Sequence, residues 1–289
     1  MLKVGSLFSG AGLCDLGLTW AGFEHQWFCE IDPFCRAVLA RHWPGTPIYS
    51  DVSGLRGADL PPVDVLCGGF PCQDVSSAGG RAGIKQGTRS GLWYEYARLI
   101  GEVRPRYVII ENVRGLLSCG IESVLQDLAA LGYDAEWEVL PAAALGAPHH
   151  RERVFIVAYP HGRLPDGEHR LLSPLQRILG NVNQSPQLFA WLGLRIDRAR
   201  KTSALEVYPG PVIYRVDDGR TEGLDRADGR EPGQTNKIGR VDTATARSWV
   251  SRLKALGNGI TPQQSYAVAA CILLAEGLPV PSMLSERGA

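Results

Sequence analysis

A cysteine on a stiff turn is the strongest candidate for chemistry in this sequence. The decapeptide Gly68–Ser77 reads Gly-Gly-Phe-Pro-Cys-Gln-Asp-Val-Ser-Ser and follows the apolar run Val63–Cys67, which is typical of a buried strand. The two glycines allow a sharp turn, and Pro71 restricts the backbone just before Cys72. Most free cysteines are inert buried residues, but the polar residues after this one predict an exposed loop. A thiol at the carboxyl end of a strand lies where open α/β sheets place their chemistry.

A second candidate site lies near the N-terminus. The run Lys3–Phe8 predicts a strand, and Ser9-Gly10-Ala11-Gly12 predicts a turn after it. The apolar spacing of Leu13–Trp20 then predicts a helix. Such a glycine turn can hold a ligand against backbone amides at a helix N-terminus, although it also occurs without a ligand. The next strand, His25–Cys29, ends at Glu30, a carboxylate placed to accept hydrogen bonds from ribose hydroxyls. Because a third glycine at dinucleotide spacing is missing, the pattern favours S-adenosylmethionine over a nicotinamide dinucleotide.

Two polar stretches accompany later strands. The β-branched run Arg106–Ile110 predicts a buried strand that delivers Glu111-Asn112-Val113, and Pro148–Arg153 precedes the apolar run Val154–Ala158. Alone, an acid at a strand end is most often a simple loop residue. The two histidines in Pro148–Arg153 have no cysteine or acidic partner that completes a metal site, so they are interpreted as polar loop residues.

Composition indicates a soluble globular protein with reduced thiols. The 289 residues suffice for one large domain and a small one, with 45% apolar and 21% charged residues. The sequence shows no signal-peptide pattern and no apolar run long enough to span a bilayer. Seven cysteines without a Cys-x-x-Cys pair indicate neither a disulfide framework nor a zinc site. We therefore expect a cytoplasmic protein that binds no metal and no membrane.

The net charge of zero does not by itself suggest a nucleic-acid partner. Its distribution is more informative, since residues 160–254 contain 16 Lys/Arg against 11 Asp/Glu. A neutral chain can therefore still present one basic face.

Seven short motifs occur in order along the chain. They are Phe8-Ser9-Gly10-Ala11-Gly12, Glu30, Asp51-Val52, Gly69-Phe70-Pro71-Cys72-Gln73, Glu111-Asn112-Val113, His149-His150-Arg151-Glu152-Arg153 and Leu256-Gly257-Asn258-Gly259-Ile260. In types and order they resemble the motifs of the C5-cytosine DNA methyltransferases, over about residues 2–158 and 249–276. The sequence departs from the family at His149, where Gln is usual, and at Gly259, where Ala or Ser is usual. The family's ninth motif is not identifiable.

The resemblance implies an α/β fold: a Rossmann-like S-adenosylmethionine-dependent methyltransferase sheet with helices on both faces, plus a small irregular recognition domain. Residues 1–159 and 247–289 would form the discontinuous catalytic domain, and residues 160–246 the target-recognition region. The stretch Thr261–Ala275 predicts a helix with Thr261 as N-cap and Pro262 at its first position. We expect this helix to pack back on the N-terminal sheet.

The resemblance also implies roles for individual residues. The predicted catalytic residues are Cys72, Glu111, Arg151 and Arg153. The predicted cofactor-binding residues are Phe8, Gly10, Gly12, Glu30, Ile31, Asp51, Val52, Pro71, Asn258 and Gly259. The predicted DNA-binding residues are Gln73, Ser76, Ser77, Arg81, Lys85, Arg89, Arg198 and Arg200.

For some of these residues the sequence leaves a plainer role open. Asp51 could instead be a helix N-cap. The loop of residues 78–91 could be a solvated segment rather than one that closes over DNA. The basic cluster of residues 195–201 could be a solvated helical face rather than a phosphate-contacting patch.

The predicted function is methyl transfer from S-adenosylmethionine to C5 of a flipped-out cytosine in a short, specific duplex DNA sequence, through a covalent Cys72–C6 adduct. The expected protein is a compact, phage-type or restriction-modification-type monomer, and a companion restriction endonuclease stays open. One alternative is an RNA (tRNA) cytosine-C5 methyltransferase, although the Cys-Phe-Thr signature usual in that branch is missing. A catalytically silent DNA-binding relative is a second alternative, and a nicotinamide-dependent oxidoreductase a distant third.

Overall fold

Seven strands form one mixed sheet within the part of the chain that the structure describes. This computed structural model describes residues 1–71, 91–147, 149–163, 171–175 and 259–281. The strands are β1 Lys3–Leu7, β2 Glu24–Cys29, β3 Ile48–Tyr49, β4 Val65–Gly68, β5 Tyr107–Val113, β6 Tyr133–Leu140 and β7 Arg153–Pro160. Their order is β3-β2-β1-β4-β5-β7-β6. Strands β1 to β5 pair in parallel, whereas β7 is antiparallel to both β5 and β6.

Six α-helices are described beside this sheet. They are α1 Leu13–Trp20, α2 Pro33–His42, α3 Leu92–Val103, α4 Leu116–Cys119, α5 Ile121–Ala130 and α6 Pro262–Ala275. Short 3-10 turns occupy Val52–Gly54, Gly57–Asp59 and Ala142–Leu145. None of these helices has the length and apolarity needed to cross a membrane.

Both faces of the sheet are apolar, so both must be covered by helices. Successive side chains of a strand point to opposite faces, and the buried residues of the central strands divide accordingly. Val65 and Cys67 of β4 belong to the core that includes residues of α1 and α6. Leu66, between them, belongs to the core that includes residues of α3 and α5. Near-continuous apolar strands are typical of a parallel sheet buried on both sides, and the predicted α/β architecture is confirmed.

Helix α6 returns to the N-terminal part of the sheet as the sequence predicts. It begins at Pro262, and Thr261 is its N-cap. Residues 264–273 are all buried, which places the helix inside the fold rather than on its surface. Gly17 of α1 lies directly against its first turn, and a Cβ atom at position 17 would overlap the Pro262 carbonyl oxygen and the Ser265 hydroxyl. The close contact of α1 and α6 therefore depends on this glycine.

Two local predictions differ from the structure. The apolar spacing of residues 118–131 predicts one helix, but the structure divides this stretch between α4 and α5 at Gly120, which belongs to neither. The strand predicted to end at Ile110 continues through Val113, because β7 pairs with it up to that residue. Glu111 therefore lies within a strand and not on the loop after it. The predicted recognition region, residues 160–246, lies almost wholly outside the described residues, so the domain division stays a prediction.

Candidate active site

A cleft of about 730 Å³ opens at the carboxyl ends of the parallel strands. Its lining includes residues that follow β1, β2, β3 and β4, the end of β5, and Gly259 and Ile260 just before α6. The volume is that of a typical small-molecule site, and its place is where open α/β sheets bind ligands. The structure brings these predicted site residues to the lining: Phe8, Gly10, Glu30, Ile31, Asp51, Val52, Pro71, Glu111, Arg153 and Gly259.

The glycine turn and Glu30 form one hydrogen-bonded unit. Phe8 and Gly10 have positive φ angles of 54° and 55°, so the chain reverses sharply after β1. Glu30 Oε2 accepts a hydrogen bond from the Gly10 amide at 2.7 Å, and Glu30 Oε1 accepts one from the Asp32 amide at 2.8 Å. Each carboxylate oxygen has two lone pairs. Glu30 therefore shapes the turn and keeps acceptor capacity for a ligand hydroxyl.

Gly12 has a packing role next to the cleft. Its φ of 79° is in the left-handed region, and a Cβ atom there would lie 2.6 Å from the Trp43 ring. It lies outside the cleft lining that the described residues form. The requirement for glycine at this position thus comes from backbone conformation and from the contact of α1 with Trp43.

Asp51 lines the cleft and is also the cap of a short turn beside it. It caps the 3-10 turn Val52–Gly54, because its Oδ1 accepts hydrogen bonds from the Ser53 amide at 3.0 Å and the Ser53 hydroxyl at 2.5 Å. These hydrogen bonds lower the pKa of Asp51, so the carboxylate is charged. Because Asp51 also lines the cleft, the capping role leaves it in position to contact a ligand.

Glu111 and Arg153 form the charged centre of the cleft. The register of β5 and β7 pairs Val113 with Arg153 and Glu111 with Phe155, so Glu111 and Arg153 are diagonal neighbours. Arg153 Nε lies 3.0 Å from Glu111 Oε1, and both side chains are mostly buried. Burial raises the pKa of Glu111 from 4.5 to about 7, and the positive charges of Arg153 and Arg151 only partly oppose this rise. Near neutral pH the carboxyl group can therefore hold a proton.

The turn that leads to Cys72 is fixed against Glu111 and its neighbour. A Cβ atom at Gly69 would lie 2.5 Å from Glu111 Oε2, so only glycine leaves room for the carboxylate. Asn112 Nδ2 donates to the Phe70 carbonyl oxygen at 3.2 Å, and the Phe70 ring packs on Trp93 with centroids 5.5 Å apart. The sequence indicated Asn112 only as a member of the Glu-Asn-Val motif and did not predict its hydrogen bond to this turn.

Arg151 contacts the segment that returns to the cleft before α6. Its Nε donates to the Gly259 carbonyl oxygen at 2.9 Å, and its Nη2 contacts the same oxygen. This contact ties Arg151, predicted as a catalytic residue, to the segment that lines the cleft before α6. Its charge still acts on Glu111, whose pKa it lowers.

Two buried thiols beside the cleft are unsuited to act as nucleophiles. Burial raises the pKa of Cys29 to about 12. Cys67 donates to Asp15 Oδ1 at 3.8 Å, and its hydrogen bond with Cys14 together with burial raises its pKa well above the ordinary value. The thiolate is the reactive form, so Cys29 and Cys67 stay unreactive at neutral pH. The polar group around Asp15, which also contacts His25 Nε2 at 3.1 Å, was not predicted from the sequence.

Several predicted residues fall outside the described part of the chain, and their roles stay predictions. These are Cys72, Gln73, Ser76, Ser77, Arg81, Lys85, Arg89, Arg198, Arg200 and Asn258. His149 and His150 are described and exposed. Among the described residues, no group of three or more His, Cys, Asp or Glu side chains could hold a metal ion.

The strand order and the cleft at the strand ends define a Rossmann-like α/β protein whose cleft lies where this fold binds ligands. The family model of C-5 cytosine-specific DNA methylases matches residues 2–187. The chain therefore belongs to the C-5 cytosine-specific DNA methylase family, as its motifs predict.

Curated methyltransferases are similar to this chain in sequence, and a solved structure shares its fold. The chain is 40% identical to the Type II methyltransferase M2.BsuMI of Bacillus subtilis (strain 168) over 54% of its own length and 42% of the relative. It is 31% identical to the orphan methyltransferase M.Rho11sI of Bacillus phage rho11s over 74% of its length and 45% of the relative. It thus spans somewhat under half of these two proteins. The S. pombe Dnmt2 methyltransferase has the same fold, with a TM-score of 0.51 and 21% identity over 61% of this chain and 55% of that one.

Proposed function

We propose that this protein transfers a methyl group from S-adenosylmethionine to C5 of a flipped-out cytosine in a short, specific duplex DNA sequence, through a covalent Cys72–C6 adduct. The observation that carries the proposal is the buried Glu111–Arg153 pair, which lies at the cleft against the turn that leads to Cys72. Family membership supports the reaction class.

The cofactor fits the lining of the cleft. When bound, S-adenosylmethionine supplies an electrophilic methyl group. Glu30 would accept hydrogen bonds from the ribose hydroxyls, and Asp51 would accept one from the adenine amino group. Ile31, with 74% of its surface exposed, would cover an adenine face and lose water-exposed apolar surface in doing so. Phe8, Gly10, Val52, Pro71 and Gly259 complete the site, with Asn258 proposed beside them.

Cytosine C5 is too weak a nucleophile to attack a methyl sulfonium unaided. The Cys72 thiolate would form a bond to C6, and the electron pair of the C5–C6 double bond would make C5 nucleophilic. C5 would then form a bond to the methyl carbon as the bond between that carbon and the sulfonium sulfur breaks. A base would remove the C5 proton, and the thiolate would leave C6 to restore the aromatic ring.

Glu111 would stabilise the intermediate by giving a proton or a strong hydrogen bond to cytosine N3. A pKa of about 7 suits this role, since a general acid works best when its pKa is near the working pH. Arg153 has donors besides the Nε that contacts Glu111, and these would hold the C2 carbonyl oxygen and stabilise its developing charge.

DNA would bind outside the cleft opening. The target base must leave the duplex stack at a cost of about a few kcal/mol, which contacts in the pocket offset. Gln73, Ser76, Ser77, Arg81, Lys85 and Arg89, which follow Cys72 in sequence, together with Arg198 and Arg200, are the proposed DNA contacts. Duplex DNA is the proposed partner, and a companion endonuclease would fit a restriction-modification role.

The test is transfer of labelled methyl groups to mixed-sequence duplex DNA, followed by base-resolved bisulfite sequencing. We expect 5-methylcytosine at one short motif. Cys72→Ser should abolish transfer, whereas Cys119→Ser, a matched change on α4, should retain it. Methylation by the Cys72→Ser protein would contradict the assignment of Cys72 as the nucleophile. Transfer to tRNA alone would support the RNA alternative, and cofactor binding without any transfer would support a silent relative.

A further inference from the structure

Gln264 is a fully buried polar residue in the first turn of α6, and its amide contacts three separate parts of the chain. Its Oε1 accepts hydrogen bonds from the Thr261 amide at 3.1 Å and the Thr261 hydroxyl at 3.0 Å. Its Nε2 donates to the carbonyl oxygens of Leu140 at 2.6 Å and Arg151 at 3.1 Å. If the amide were reversed, its NH₂ group would face the Thr261 N–H and its oxygen would face two carbonyl oxygens. These contacts are unfavourable, so the orientation of the amide is determined.

The two carbonyl groups lie at the ends of one connection. Leu140 is the last residue of β6, and Arg151 comes two residues before β7. Gln264 therefore fixes both ends of the segment of residues 141–152 to the start of α6. The loss of its donor group would leave two carbonyls without this partner, which is costly in a buried site.

Arg151 has the backbone conformation that most needs such support. Its φ of 33° is in the left-handed region, which a non-glycine residue keeps only where surrounding contacts hold it. Its carbonyl is held by Gln264, and its guanidinium by the carbonyl oxygen of Gly259. Gly259 lines the cleft and lies directly against Leu13, so this contact sets one wall of the cleft.

We propose that Gln264 is a positioning residue for the cofactor cleft. It holds the backbone of Arg151 in the conformation that directs the guanidinium to Gly259, and so it places the wall of the cleft formed by Gly259 and Ile260. This inference rests on the proposed function, because it takes S-adenosylmethionine as the ligand of the cleft. Gln264 does not contact the reacting atoms, and it acts through Arg151.

The substitution Gln264→Met tests this role, since methionine keeps the length of the side chain and removes its hydrogen bonds. The matched control is Gln263→Met, the same change at the partly exposed neighbour in the same helical turn. S-adenosylmethionine binding is measured by calorimetry and kcat and KM by methyl transfer. Because a buried polar group without its partner is costly and the wall of the cleft would shift, we expect Gln264→Met to weaken cofactor binding by about tenfold or more. Gln263→Met should stay within about twofold of wild type.

A double-mutant cycle separates positioning from a purely structural role. If Gln264 acts through Arg151, then Gln264→Met in an Arg151→Ala background should weaken cofactor binding by less than about twofold. Fully additive losses would overturn the proposal, as would wild-type affinity in the folded Gln264→Met protein. If that variant does not fold, Arg151→Ala alone, which leaves the hydrogen bonds of Gln264 to Leu140 and Thr261 in place, should weaken cofactor binding by about tenfold or more, and wild-type affinity of that protein would overturn the proposal. Failure of the wild-type protein to bind S-adenosylmethionine would instead contradict the proposed function.

Discussion

The buried carboxyl group of Glu111 makes the stability of this protein depend on pH in a direction that can be worked out. Its pKa is about 7 in the folded protein and 4.5 as the ordinary value. When the folded-state pKa is raised, folding is most favourable at low pH, where the group is protonated in both states. Stability is then lost as the pH rises from about 4.5 through about 7, because the unfolded chain ionises more readily.

The size of this effect follows from the two pKa values. Each pKa unit corresponds to about 1.4 kcal/mol, so the full difference is about 3 kcal/mol. A small part is already lost at pH 5, and we expect a loss of about 2 to 3 kcal/mol between pH 5 and pH 8. Glutamine at this position has the same shape and no charge, so Glu111→Gln should lack this loss.

The assay is urea unfolding of the wild-type protein and the Glu111→Gln variant at pH 5, 6, 7 and 8. The quantity of interest is the difference in free energy of unfolding between the two proteins, since other titrating groups cancel in it. The exposed Glu122 of α5 supplies the matched control, and Glu122→Gln should reproduce the wild-type pH profile. A wild-type minus Glu111→Gln difference that stays constant from pH 5 to pH 8 would refute the raised pKa and with it the proton-donor role.

Two further predictions concern residues that shape the cleft. Gly69→Ala should lower kcat by about tenfold or more, since its Cβ atom would lie 2.5 Å from Glu111 Oε2 and displace the carboxylate. In contrast, Gly54→Ala, with nothing within 4 Å of its Cβ atom, should leave kcat unchanged in the same methyl-transfer assay, and equal rates for the two variants would contradict the steric argument. Glu30→Gln should weaken S-adenosylmethionine binding by about tenfold or more in calorimetry, because an amide cannot accept both backbone hydrogen bonds. The same change at the exposed Glu24 should leave the affinity for S-adenosylmethionine unchanged. If the Glu30→Gln protein also bound with unchanged affinity, Glu30 would not belong to the cofactor site.

The sequence predicted the sheet and most of its elements well, because their signals are local. Apolar runs of four to eight residues mark buried strands, and glycine turns mark their ends. The start of α6 was predicted to the residue, since Thr261 and Pro262 form a standard N-cap and first position. Helix α2 was not predicted, although Asp32 caps it and Pro33 begins it, which is a recognisable start signal.

The features that the sequence could not predict depend on contacts between distant residues. The continuation of β5 through Val113 depends on pairing with β7. The pKa of Glu111 is raised by burial in the folded protein, and arginines about 40 residues away along the chain oppose this rise only in part. The contact of Arg151 with Gly259 joins residues 108 positions apart. Motif resemblance identified these residues, but only the fold shows which of them touch.

The most direct test of the proposed Cys72–C6 adduct is covalent trapping on DNA in which every cytosine is replaced by 5-fluorocytosine. The reaction sequence proposed above needs removal of a C5 proton, and fluorine at C5 prevents this step, so the protein should stay attached to DNA after methyl transfer. We expect a denaturant-resistant complex that forms only with S-adenosylmethionine, and digestion should place the DNA adduct on Cys72. A complex through any other cysteine, or no complex from a protein that methylates ordinary DNA, would contradict the proposed adduct.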